Sequence, residues 1–120
     1  MNKEFKYTCE KGGAITVMRV EGFLDAHTAA MLETALDELA EQQCYRVVVD
    51  FQKLDYISSA GLGVLMAAIT TFRDNHGDLK LAQLPPRIFK VFDLLGFSKL
   101  FQIYENEEEA VAAFAAGKAP

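Results

Sequence analysis

Tryptophan is absent, cysteine occurs twice and proline three times in these 120 residues. Cys9 and Cys44 stand apart, with no C-x-x-C pair and no histidine at ligand spacing. That pattern excludes a disulfide framework and a structural zinc centre, and predicts two buried or partly buried free thiols. An excess of positive charge is also missing: 12 Lys and Arg face 17 Asp and Glu, for a net charge of −5. A sequence-independent grip on nucleic acid or attraction to an anionic membrane surface is thereby disfavoured, which leaves a protein or a small molecule as partner. Long hydrophobic runs are lacking too. The longest mostly apolar stretch, Ala60 to Ile69, falls far short of a membrane span, and the start MNKEFKYTCEKGG has no apolar leader core. The expected location is the cytoplasm. With no internal repeat, linker or low-complexity segment, residues 1–120 are expected to form one domain around a core that the 51% hydrophobic content can supply.

The hydrophobic pattern that is present changes period along the chain. Phe5–Glu10 and Ala14–Glu21 read as strands joined by Lys11-Gly12-Gly13, whose glycines suit a hairpin. From Ala26 to Gln43, Met31, Leu32, Ala35, Leu36 and Leu39 mark one face of a helix that Asp25 is placed to cap. Tyr45–Phe51 (YRVVVDF) has the β-branched composition of a buried central strand. A second helix is predicted over Ser59–Asn75, with Leu62, Leu65, Met66, Ile69 and Phe72 as its core stripe and Gly77 as a left-handed stop. Leu79–Leu84 forms a strand, Pro85-Pro86 opens a third helix ending at Gly96, Phe101–Tyr104 forms a last strand, and Glu107–Ala116 a last helix before a frayed tail. The order ββαβαβαβα implies right-handed crossovers and a mixed, mostly parallel sheet of about five strands with about four helices, an α/β fold.

One stretch concentrates the candidate chemistry: Asp55-Tyr56-Ile57-Ser58-Ser59-Ala60-Gly61-Leu62-Gly63. A hydrolase elbow needs G-x-S-x-G, and Ile57 stands where its first glycine belongs. His76 lies at the far end of the same helix, four turns away, which leaves His27 as the one candidate base. A dinucleotide fingerprint fails at Met66, and no Gly-Lys-Ser/Thr sequence supports a phosphate loop. Asp50 ends a central strand, but the further acidic pair and lysine of a phosphoacceptor site are not evident. No cofactor and no metal is expected. What remains is the helix start, whose free N–H groups and positive dipole end favour an acceptor oxygen. One of the two serines caps the helix. The other would project outward, where a phosphate would sit in a favourable field and add about −1.5 to −2 charges to the surface.

The whole chain resembles the STAS family, the small domains of anti-sigma factor antagonists that are also found at the end of sulfate transporters. Gly22-Phe23-Leu24-Asp25-Ala26-His27-Thr28 is similar to the family's G-x-L-D-x-x-T entry to the first helix. Val47-Val48-Val49-Asp50-Phe51 and Leu54 through Leu65 resemble its central strand and helix start, Leu95-Gly96-Phe97 its third-helix exit, and Glu107-Glu108-Glu109-Ala110 its last helix. The resemblance implies the STAS fold with helices largely on one side of the sheet. In such antagonists the motif reads D-S-[ST]-G-L-G, and a partner kinase phosphorylates the serine after the aspartate. Aligning Gly61-Leu62-Gly63 puts that serine at Ser59, with Ser58 in place of the acid and Ala60 in place of the second hydroxyl. By resemblance, the unmodified chain binds a serine-kinase anti-sigma factor, phosphate on Ser59 (or, second, Ser58) ends that binding, and a metal-dependent serine phosphatase restores it. The chain is then a ligand and a substrate, not an enzyme. The implied contact surface comprises Asp25, Asp55, Tyr56, Ile57, Ser58, Ser59 and Gly61, with Gly63, Ala67 and Thr70 on the exposed side of the second helix. Asp50 is implied as a further neighbour. A non-switching adaptor in a signalling or lipid-transport complex is the alternative that the resemblance leaves open.

Overall fold

The computed structural model describes residues 4–115. The elements are β1 (Lys6–Gly12), β2 (Ile15–Leu24), α1 (Ala29–Glu41), β3 (Arg46–Ile57), α2 (Ser59–Asp74), β4 (Asp78–Ala82), α3 (Pro86–Leu94), a single 3₁₀ turn (Phe97–Lys99), β5 (Ile103–Tyr104) and α4 (Glu107–Ala115). The strands lie side by side in sequence order, β1 antiparallel to β2 and all later pairs parallel. Successive right-handed crossovers that step the same way bring α1, α2 and α3 to one face. There Met18, Val47, Val49, Phe51, Leu79 and Leu81 of the sheet meet Leu32, Leu36, Leu65, Ile69, Phe72, Ile88 and Phe92 of the helices. Helix α4 covers the opposite face with a smaller cluster of Val48, Ala82, Ala110 and Phe114. The expected α/β architecture is the one observed. The tail expectation for residues 116–120 lies outside the described residues.

Several expected boundaries move, each for a physical reason. Strand β3 does not stop at Phe51 but runs to Ile57, because β2 continues beside it after β4 has ended, pairing Lys53 with Glu21 and Ile57 with Leu24. Register shifts between Arg19 and Glu21 and between Gly22 and Phe23 break the alternation that would have marked this extension. Asp55–Ile57 is therefore the last stretch of β3. Helix α1 begins at Ala29, not Ala26. The Asp25 carboxylate is occupied by the N–H groups of His27 (2.9 Å) and Thr28 (3.1 Å), so the intervening residues form a turn, and Thr28 takes the cap position. Cys44 is partly buried as expected, but Cys9 is exposed, because β1 is an edge strand with all its residues open to solvent. Beyond α2 the left-handed residue is His76 (φ 66°), not Gly77.

Candidate functional site

The DYISSAGLG stretch lies where the carboxyl ends of β2 and β3 meet the start of α2. Leu24 and Ile57 point into the core, and the Ser58 N–H donates to the Leu24 carbonyl (2.9 Å), tying the end of β3 to β2. Ser58 has an extended backbone (φ −100°, ψ 172°), and its Oγ accepts from the Gly61 N–H at 3.4 Å, while its carbonyl receives the first helical bond from Leu62 (3.1 Å). Ser58 is thus the cap that satisfies one of the orphan donors of the helix start. Ser59 occupies the first helical position, is exposed, and its hydroxyl makes no hydrogen bond among the described residues. The two serines are separated by backbone geometry: one is spent on the helix and the other is offered to solvent.

Asp25 lies beside this rim, at the end of β2. Its carboxyl is held below the ordinary value chiefly by the N–H of Thr28, then by that of His27. Thr28 locks the turn further, since its Oγ1 accepts from the Asp25 N–H (2.9 Å) and donates to the Phe23 carbonyl (2.8 Å). On the other side, Arg87 of α3 donates through Nε to the Asp55 carbonyl (3.1 Å) and approaches its carboxylate (3.5 Å). Tyr56 (46% exposed) and Phe23 (37%) stand opposite each other across β2 and β3, ring centroids 5.7 Å apart, leaving an aromatic patch next to the serines. Along α2, Gly63, Ala67 and Thr70 are exposed, and a methyl group added at Gly63 would meet nothing within 4 Å. The fold itself imposes no demand for glycine there.

The STAS domain family model matches residues 7–110. The chain belongs to the STAS family. It is 35% identical over 109 residues to BtrV of Bordetella bronchiseptica, named provisionally as an anti-sigma factor antagonist, covering 91% of this chain and 94% of that one. It is 28% identical over 112 residues to the anti-sigma F factor antagonist of Paenibacillus polymyxa, with 92% and 94% covered. The Bacillus cell fate determinant SpoIIAA superposes in its unphosphorylated form with a TM-score of 0.80 at 21% identity, over 96% of this chain and all of that one, and in its phosphorylated form with 0.72 at 22% identity, over 91% and 99%.

Within this STAS domain the expected site residues divide. Asp25, Asp55, Tyr56, Ser58 and Ser59 come together at the rim, and Gly63, Ala67 and Thr70 continue from it along α2. Ile57 and Gly61 do not belong to the exposed surface. Ile57 is a core residue, and Gly61 is buried where an added Cβ would stand 2.7 Å from Leu24 Cγ and 3.2 Å from Ile57 Cγ1. Gly61 therefore sets how closely α2 approaches the strand ends. Gly61→Ala should cost about 1–3 kcal/mol by overpacking, read as a lower urea midpoint, with amide shift changes concentrated at Ser58 to Leu62. Asp50 is not a neighbour of the serines. It lies within β3 on the α4 side, and the strand from Asp50 to Ile57 spans roughly 20 Å. Its Oδ1 accepts from the Gln52 N–H (2.8 Å) and its Oδ2 from Gln83 Nε2 (2.7 Å). Phe23 and Arg87 went unnoticed in the sequence. Only the strand register, which sets Phe23 opposite Tyr56, and the docking of α3 reveal them. No helix among the described residues is long and apolar enough to cross a membrane.

Proposed function

We propose that this STAS domain is an anti-sigma factor antagonist that works by partner switching. Unmodified, it binds a serine-kinase anti-sigma factor through the rim and the open side of α2, and the sigma factor is released. The kinase then transfers the terminal phosphoryl group of ATP to Ser59 Oγ: the new O–P bond forms, ADP leaves, and the hydroxyl proton passes to a base of the kinase. A metal-dependent serine phosphatase hydrolyses the ester and resets the cycle. The observation that carries the reading is the division of labour at the helix start, where Ser58 caps and Ser59 presents an uncommitted hydroxyl. The names of the relatives and the two phosphorylation states of SpoIIAA support it. The helix terminus favours the phosphate in the free protein, so the modified form is not strained. At a contact surface the same phosphate adds about −1.5 to −2 charges beside Asp25 and Asp55, and binding must desolvate or repel them. The cytoplasm is the compartment in which such a cycle runs.

The test is incubation with the cognate kinase and ATP, followed by mass-spectrometric mapping. Phosphate is expected on Ser59, and its absence from both Ser58 and Ser59 removes the switch. Ser59→Asp should weaken kinase binding at least ten-fold, about 1.4 kcal/mol, whereas Ser59→Ala should bind as the parent does. Equal binding by both variants would assign the surface elsewhere.

A further inference from the structure

The face of the sheet away from Ser59 carries a second group of charges, which the switching scheme does not use. Arg19 of β2 grips Glu107, in the first turn of α4, with two prongs: Nε to Oε2 and Nη2 to Oε1, both 2.8 Å. Its remaining arm reaches Glu10 of β1 at 2.8 Å. Asp50 of β3, only 5% exposed, stands in register with Arg19 across the β2–β3 pairing and interacts with Glu107. Two carboxylates, Glu10 and Glu107, thus gather around one guanidinium, with Asp50 beside Glu107. Asp50 accepts from the neutral Gln52 N–H and the Gln83 amide. The surrounding walls contribute Glu21 of β2 and Lys53 of β3 in a cavity of about 230 Å³ that also takes in Arg19 and Asp50, and Glu108 of α4 in a neighbouring groove of about 410 Å³. Tyr104 of β5 hydrogen-bonds Gln102. Lys80 of β4, on the same face, is held by Asp78 and Gln102.

Two adjacent carboxyl groups share a site comfortably when one of them keeps its proton. Glu107 is held well below the usual range, first by Arg19 and then by Asp50. The cost falls on Asp50, which is pushed up to about 6, first by burial and then by Glu107. We propose that the Asp50–Glu107 carboxyl pair is a proton-operated latch that fixes the first turn of α4 to the sheet and loosens when the shared proton leaves. A carboxyl raised in the docked state adds stability below its undocked value, and that stability is lost as pH rises through about 6. Glu107, lowered in the docked state, is ionised both docked and undocked between pH 5 and 7.5, so it adds almost no pH dependence there.

Native-state hydrogen exchange tests this on the full chain. With Asp50 returning on undocking to its ordinary value of 3.8, opening of α4, read at Ala110 to Phe114 and corrected for intrinsic exchange, should increase about ten-fold relative to α2 from pH 5 to 7.5. Asp50→Asn, which donates to Glu107 at every pH, should abolish that step. A wild-type ratio that stays constant, or a step of the same size in Asp50→Asn, overturns the latch. If that variant does not fold, carboxyl carbon NMR of the unaltered protein decides: a midpoint for Asp50 near 6 supports the latch, and one near 4 rejects it.

Discussion

Replacing Asp78 by alanine should cost about 3–5 kcal/mol, a third or more of the stability of an ordinary domain. Asp78 is fully buried, and its carboxylate holds three groups together. Oδ1 accepts from Arg73 Nε (2.8 Å) and from the Leu79 N–H (2.8 Å), and Oδ2 from Lys80 Nζ (3.1 Å). Lys80 is only 1% exposed. Its ammonium otherwise meets Gln102 Oε1 (2.6 Å) and the faces of Phe114 and Tyr104, 4.6 and 5.9 Å from the ring centroids. Without Asp78 a buried cation keeps one neutral acceptor and two rings, which cannot replace the lost countercharge. Arg73, which also donates to the Leu100 carbonyl (3.0 Å), loses the partner that orients it between α2 and the segment before β5. The midpoint of thermal unfolding should fall by roughly 10–20 °C. Asp78→Ala combined with Lys80→Met should recover most of the loss, because the stranded charge is then gone. A double variant as unstable as the single one would show that packing around Asp78, not charge, is the source.

Gly77→Ala should cost about 3 kcal/mol, for a reason that lies just ahead of β3 rather than at the end of the helix. A Cβ at this position would stand 1.9 Å from the Tyr45 carbonyl oxygen and 2.5 Å from its carbon. Both are main-chain atoms, so no rotamer change relieves the clash. Tyr45 cannot retreat cheaply: its carbonyl accepts from the Asp78 N–H (2.9 Å), and its ring packs edge-on against Phe72 with centroids 6.0 Å apart. The chain must part where β4 enters the sheet. Urea unfolding of the variant measures the cost. A midpoint within error of the parent would mean that the β3 and β4 starts can separate without losing their pairing.

The contrast between expected and observed positions has a common physical root. Alternation and helical period were sufficient for the order of elements, since Val47–Val49 and the Leu62–Phe72 stripe have neighbours that reinforce the same pattern. The ends of β2 and β3 were hidden because register shifts move side chains between faces just where Gln52 and Lys53 interrupt the apolar run. Within the motif, a serine cap at the helix start was legible from local chemistry, but which of the two serines takes it depends on the backbone at Ser58. The burial of Ile57 and Gly61 depends on Leu24, whose contact no local pattern announces. The meeting of Asp50 with Glu107 is of the same kind, because two crossovers and two further strands, β4 and β5, lie between them.

The unbroken β1 to β5 order has a consequence for how Ser59 is reached. In parallel sheets a crevice opens at the carboxyl edge where adjacent crossovers depart toward opposite faces. Here every crossover departs toward the same face, and no such fork exists. The edge that bears Ser59 is a prow rather than a mouth. In the proposed cycle, the kinase that modifies that hydroxyl would have to bring the enclosure with it.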